Sequence, residues 1–237
     1  MPQWVSSQPA RFSRVTIVLT ALAAALLGAA GPLVLRRIPE PAGGDDDKLP
    51  YAVLAEFRGL RVGLALSSAL MAGLVAWRID DSELLPVWVL VAGVGSWLAF
   101  IDWHTRLLPF FIVAPTYLLT LVLVVLGAVL LQDAQVLVRA VVANVVVYVI
   151  FRVLFWIARG AFGFGDVRLS GVLALALGAL GASEVFVGMY AGFILGAVFG
   201  LGLARLKLVD PKAYAFGPYM IVGAVLGAAW GPAIYAV

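Results

Sequence analysis

Asp102 and Asp166 are the residues of this sequence best suited to carry chemistry. Each sits at the mouth of a long apolar stretch, in a chain that is 64% hydrophobic. A charge near hydrocarbon costs at least roughly 2.5–3.5 kcal/mol, so it persists where it faces a cavity, a partner or a reaction. Two carboxylates sharing one site cannot easily both ionise, and they hold one proton between them. The charged member takes a proton from water as it attacks a peptide carbonyl, while the protonated member donates to the carbonyl oxygen. Such aspartic-protease chemistry needs no metal, thiol or imidazole. The sequence has no cysteine and a single histidine, His104, which removes disulfides, thiolate nucleophiles, Cys-based zinc sites and His-cluster metal sites.

The two acids stand in different local settings. Asp166 closes Gly163-Phe164-Gly165-Asp166, where two glycines make a bendable, sterically open entry to an apolar helix. Helix N-termini favour negative charge, so a plain aspartate cap explains the pattern as well. Asp102 opens Asp102-Trp103-His104-Thr105-Arg106-Leu107-Leu108-Pro109. An interfacial turn accounts for most of this run, with Trp103 at the headgroup level and Pro109 starting the next helix. It does not account for an acid at the end of a span, where the helix macrodipole disfavours negative charge.

The elements that must position these acids follow from hydropathy. Mean hydropathy is +1.08, with 12% charged residues, so the expected fold class is all-α: a polytopic integral membrane protein of about eight transmembrane helices with no soluble domain. The spans are expected near 15–35, 60–79, 86–101, 110–131, 137–158, 167–181, 184–204 and 217–236. Residues 1–237 form one membrane-embedded domain, in which 36–58 is a short cytoplasmic loop. The segments 86–101 and 167–181 fall below the roughly 20 residues that cross hydrocarbon, and they are the two that touch the acids.

Orientation comes from charge. Arg36, Arg37, Lys48, Arg58, Arg61, Arg106, Arg152, Arg159, Arg168, Arg205, Lys207 and Lys212 lie on one side of this topology. Arg11, Arg14, Arg78 and Arg139 lie on the other, interleaved with acids. The positive-inside rule makes the richer side cytoplasmic and puts both aspartates there. An uncleaved first span with its N-terminus outside fits this bias better than a cleavable signal peptide, which Arg11, Arg14 and the following Ala-rich run would otherwise suggest.

Other residues carry weaker signals. Asp45, Asp46 and Asp47 offer oxygens to a hard cation, but adjacent residues in a Pro/Gly loop read first as a solvated linker. His104 is a candidate proton relay to Asp102, against the plainer reading of a solvated interfacial imidazole. Arg168, two residues past Asp166, either holds that acid ionised or anchors the inside face. Trp4, Trp77, Trp88, Trp103, Trp156 and Trp230 read mostly as interface anchors. Asn144 and Tyr148, four apart on one span, suggest interhelical hydrogen bonds or a polar interior.

Four blocks in order resemble the type IV prepilin peptidases, membrane aspartyl proteases of the GxGD class. Asp102 with Thr105, Leu108 and Pro109 resembles the first catalytic block. Gly163, Gly165, Asp166, Val167, Arg168 and Leu169 resemble the second, with arginine where the family usually has lysine. Phe216-Gly217-Pro218-Tyr219 is similar to the Phe-Gly-Pro-aromatic block opening the last span, and Arg36-Arg37-Ile38-Pro39 to the Arg-Leu-Pro after the first helix. The resemblance implies an inner-membrane endopeptidase of type IV pilus and protein secretion systems, cleaving the basic leader of prepilins or pseudopilins after a glycine at the cytoplasmic face. It implies Asp102 and Asp166 as the catalytic pair, with Gly163, Gly165, Arg168, Pro109, Gly217 and Pro218 shaping the site or binding substrate. Asp45 to Asp47 and Glu56 are candidates to meet the basic leader.

The chain departs from many members in lacking cysteine and the Cys-rich zinc insertion after the first span. The expected protein is therefore a peptidase with no metal and no cofactor; N-methylation of the new terminus is left open. Its expected partners are a prepilin or pseudopilin precursor and membrane lipid, with no nucleic acid, and the residues set no oligomeric state. The rival class is a small transporter or channel using both acids as a proton or cation relay, although internal pseudo-symmetry and matching broken helices are not evident. A catalytically silent secretion-system scaffold is the third reading.

Overall fold

A computed structural model describes residues 13–40, 49–79, 81–157, 163–200, 202, 205 and 215–235. Among them every regular element is a helix. The chain is a polytopic all-α membrane protein, and six of its helical segments are long and apolar enough to cross a bilayer. Helix α1 (Arg14–Ala29) starts where the Ser13 hydroxyl accepts the Thr16 N–H, and it continues almost directly into α2 (Gly31–Leu35). After the short α3 (Tyr51–Leu54) come α4 (Leu60–Arg78), a 3-10 turn Ser82–Leu84 and α5 (Leu85–Thr105). Then follow α6 (Phe110–Leu130), α7 (Ala134–Ile157), α8 (Phe164–Leu180) and α9 (Ala182–Leu195). A π-helical turn, Gly196–Gly200, extends α9, and α10 (Gly217–Tyr235) follows later in the chain.

Eight helical stretches thus stand where eight spans are expected. Two of the shifted boundaries matter for the acids. The segment expected at 86–101 runs from Leu85 to Thr105, full span length, so Asp102 lies inside its last turn rather than beyond its end. Trp103, His104 and Thr105 contain no breaker. The helix stops at Arg106, which takes the left-handed conformation (φ 56°, ψ 30°) and returns its N–H to the Asp102 carbonyl at 2.7 Å. The segment expected at 167–181 begins at Phe164, so Asp166 sits in the first turn of α8.

Burial ranks the helices. In the most apolar window of the Ser82–Thr105 segment 78% of residues are buried, against 17% for α7, and nearly all of α8 from Asp166 to Ala179 is buried. Helices α5 and α8 form the centre together with α10, where Met220, Ile221, Ala224, Val225, Ala228 and Ala229 are buried, and the other helices pack around them. Close crossings are made by small residues, as expected where lipid supplies no hydrophobic drive between helices. Gly28 lets α1 approach Ser68 on α4 so closely that a Cβ would overlap the serine. There the Ser68 and Ser96 hydroxyls meet at 2.7 Å, and Trp97 Nε1 donates to the Gly28 carbonyl at 2.9 Å.

Two polar readings resolve here. The Asn144 amide donates to the Tyr117 hydroxyl and, at 2.7 Å, to the Gly171 carbonyl, tying α6, α7 and α8 together. Interhelical bonding is therefore the role of Asn144. Trp88 is 1% exposed and belongs to the core, not to an interface belt, because it falls on a helix packed on all sides. Trp77, Trp103 and Trp156 remain exposed. Asp45, Asp46 and Asp47 lie outside the described residues. Beside them the loop is anchored by Glu40, whose carboxylate accepts the Tyr51 N–H at 2.6 Å. Burial, and then the Glu40 charge, push the Tyr51 hydroxyl up to about 12.

Candidate active site

Asp102 and Asp166 lie at one end of the bundle. Asp102 is 4% exposed and Asp166 8%, and Asp166 lies close enough for the two carboxylates to repel each other. The up-and-down path makes this possible. Asp102 reaches the acid end at the close of α5, and Asp166 starts there on α8, two helices later.

Each acid is held by a helix N-terminus. Asp102 Oδ2 accepts the Gly217 N–H at 2.8 Å, and Gly217 is the first residue of α10. An unpaired amide at a helix start, backed by the macrodipole, stabilises negative charge. The misfit of an acid at the C-terminus of α5 is thereby answered by another helix. Asp166 Oδ2 accepts the Gly163 N–H at 2.9 Å, one residue before its own helix. This is one arm of a capping box; glycine has no side chain to supply the other. The aspartate-cap reading therefore describes a bond that exists, and it leaves the proximity of Asp102 unexplained.

The glycines divide by what they approach. A Cβ on Gly217 would stand 2.9 Å from Asp102 Oδ2, so only glycine allows the carboxylate this close to the backbone. A Cβ on Gly165 would stand 2.7 Å from the Leu108 Cβ, so this glycine seats the start of α8 against the turn between α5 and α6. Gly163 meets no such crowding. Pro109 is buried at the N-cap of α6, where its carbonyl accepts the Ile112 and Val113 N–H groups. Pro218, in the second position of α10, needs no intrahelical donor there.

Arg168 does not hold Asp166. Its guanidinium rests 4.5 Å from the Phe164 ring centroid and 4.8 Å from that of Phe110, and among the described residues no ion pair joins it to the acid. Two positions apart on a helix, the side chains point to different faces. The same spacing separates His104 from Asp102. The imidazole bonds to the Phe100 carbonyl at 2.8 Å and packs against the Phe57 and Phe100 rings.

Residues 88–201 match the model of the type IV leader peptidase family. That segment is similar to the type IV leader peptidase family. The matched segment contains both acids, the Gly163 turn that holds Asp166 and the π-helical end of α9, whereas the Gly217 amide that holds Asp102 lies beyond it. The chain is 34% identical over 181 residues to a prepilin leader peptidase/N-methyltransferase of Pseudomonas putida, covering 71% of this chain and 58% of that protein. It is 31% identical over 182 residues to a protein of the same name from Aeromonas salmonicida (strain A449), covering 71% and 57%. The chain thus spans less than three fifths of the length of these curated relatives. No solved structure matches it.

Sequence reasoning did not find three supports of the acids. Leu108 was expected only as part of a motif, but it is the surface on which Gly165 packs. Phe216 accepts the Tyr219 and Met220 N–H groups and so caps α10, fixing where the Gly217 amide points. The Thr105 hydroxyl, buried one turn from Asp102, donates to the Ile101 carbonyl and accepts the Leu107 N–H, so it shapes the end of α5. All three stand in the motif blocks quoted from the sequence, but a block names its residues without naming the partners they meet.

Proposed function

We propose that this chain is an aspartyl endopeptidase that removes the basic leader of prepilin or pseudopilin-like precursors. The observation that carries the reading is the placement of two buried carboxylates at the same end of the bundle, each steadied by a helix N-terminal amide. Similarity to the type IV leader peptidase family and the names of the relatives support the substrate class. The bias of basic residues toward the acid end supports a site facing the cytoplasm of an inner-membrane protein.

In this reading Asp102 and Asp166 share one proton above a bound peptide. The ionised carboxylate accepts a proton from a water molecule as the water oxygen bonds to the scissile carbonyl carbon. The protonated carboxyl gives its proton to the carbonyl oxygen, forming a neutral gem-diol. Collapse breaks the C–N bond, with the proton passing to the leaving amine. Two coupled acids titrate as a pair, so base and acid belong to the dyad and not to either residue. Gly217 and Gly163 orient the carboxylates, while Gly165, Pro109 and Pro218 set the helix ends that carry them. Arg168 shapes the rim through Phe110 and Phe164. Among the described residues no group of three His, Cys, Asp or Glu side chains converges as metal ligands, and the proposal is confined to peptide hydrolysis.

Asparagine keeps the shape of each acid and removes its proton chemistry. Asp102→Asn and Asp166→Asn, purified beside the wild type, are each expected to leave a leader-bearing precursor intact. Cleavage retained in either variant would contradict the proposal. A precursor left whole by the wild type but still assembled into pili would point to the scaffold reading.

A further inference from the structure

We infer that Thr105 is a positioning residue for the acid pair: its hydroxyl locks the turn from Asp102 to Leu108, and that turn seats the start of α8, with Asp166, against the end of α5. Its kinetic consequence rests on the peptidase reading. Thr105 is 2% exposed, although Trp103 and Arg106 beside it face outward. Both bonding capacities of the buried hydroxyl are spent locally. It donates to the Ile101 carbonyl at 2.8 Å and accepts the Leu107 N–H at 3.3 Å.

The backbone that these bonds hold is an unfavourable one. Arg106 ends α5 in the left-handed conformation, a place most often taken by glycine because a Cβ there crowds the following carbonyl. The residues before it contain no helix breaker, and the next restraint is Pro109, which disfavours the helical conformation at Leu108. Two bonds keep the helix from running on to that point. The Arg106 N–H returns to the Asp102 carbonyl at 2.7 Å, and the following N–H, that of Leu107, goes to the Thr105 hydroxyl. A threonine hydroxyl that binds an amide two residues on offers the chain a local alternative to helix.

The turn touches an acid at each end. Asp102 stands at its start. At its close, Leu108 lies so near Gly165 that a Cβ on the glycine would stand 2.7 Å from the Leu108 Cβ, and Gly165 adjoins Asp166. Each residue added to a helix advances the chain about 1.5 Å and swings it about 100°. Release of Arg106 into the helix therefore moves Leu108, and with it the seat of Asp166, by more than the roughly 1 Å that costs about 10²-fold in rate.

Thr105→Val keeps the branched shape and removes the hydroxyl, while Thr105→Ser keeps the hydroxyl. With a leader-bearing precursor, Thr105→Val is expected to lower kcat about 10²-fold with KM nearly unchanged, and Thr105→Ser to behave like the wild type. Adding Arg106→Gly to Thr105→Val should recover most of the lost kcat, because glycine takes the left-handed conformation without help. A wild-type kcat in Thr105→Val, or no recovery on adding the glycine, would overturn the inference.

A second readout needs no hydrolysis. The sequence has no cysteine, so a short bifunctional thiol reagent can bridge the two positions in an Asp102→Cys/Asp166→Cys protein, with the bridge read by mass. Adding Thr105→Val should slow bridging about tenfold by spoiling the proximity of the pair, and adding Thr105→Ser should not. Equal rates would overturn the inference whether or not the wild type cleaves a precursor. Slowed bridging beside a wild type that leaves the precursor whole would fault the peptidase reading and uphold the role of Thr105.

Discussion

At the scale of single residues, the Gly217 amide has the largest consequence. An acid at the C-terminal end of a helix faces the wrong end of that helix's dipole, and here the start of α10 compensates. Gly217→Ala places a methyl group 2.9 Å from Asp102 Oδ2, so the carboxylate must turn away and lose its 2.8 Å bond. Leader cleavage is expected to fall about 10²-fold in kcat, the scale of a misplacement near 1 Å, with KM for the precursor changed much less. A wild-type kcat in steady-state assays would show that this amide does not position the acid. The residue types of the pair were legible from the sequence, because carboxylates bordering hydrocarbon call for a reason. The role of Arg168 was not. Its nearness in sequence to Asp166 suggested an ion pair, but neighbours two apart on a helix diverge and the guanidinium found two aromatic faces.

At the scale of elements, the crossing of α8 against the α5–α6 turn governs how the acids meet. Gly165→Ala brings a Cβ to 2.7 Å from the Leu108 Cβ, an overpacking expected to cost about 1–3 kcal/mol. Pairing it with Leu108→Ala should recover most of that loss, and thermal unfolding of the two single variants and the double gives the coupling directly. Additive losses would mean that the contact is not the cause. Further along α8, Asn144→Ala removes the bonds to Tyr117 and Gly171, with an expected loss of about 1 kcal/mol in the same measurement. The Glu40–Tyr51 anchor makes a prediction for pH. The Tyr51 hydroxyl titrates near 12 against an ordinary 10.0, so the folded state binds its proton more tightly than the unfolded state. The associated stabilisation is present below pH 10 and is lost as pH rises toward 12. Phenolate absorbance of wild type and Tyr51→Phe should differ by one group titrating late; a difference near pH 10 would contradict the burial.

The element scale also marks where sequence reading stops. Hydropathy located the six described segments that are long and apolar enough to cross a bilayer, since each needs an apolar run. It ended α5 four residues early and started α8 three residues late, because a polar residue was taken as the end of a span. Both acids are instead accommodated inside helices by bonds to distant or preceding amides. Such bonds, like the burial of Trp88, depend on which helices become central, and apolar composition alone does not distinguish α5 from α7.

At the scale of the whole molecule, the account rests on both acids opening to one side of the membrane. The absence of cysteine makes the natural sequence a clean background for labelling. Glu56→Cys lies by the acid end and Gln135→Cys at the opposite end, both exposed. A membrane-impermeant maleimide applied to intact cells is expected to label position 135 and to reach position 56 only after permeabilisation. The reverse pattern would put the acids outside and remove the cytoplasmic leader as substrate. The bundle's division into buried and exposed helices fits this arrangement, with the buried α5 and α8 carrying the acids.

The central claim is that Asp102 and Asp166 act together on a peptide bond. Its most direct test is mass spectrometry of a leader-bearing precursor incubated with purified wild type, Asp102→Asn or Asp166→Asn in detergent. The account predicts a single cut after the glycine by the wild type and an intact precursor with either variant. Cleavage by a folded Asp102→Asn or Asp166→Asn protein would contradict it.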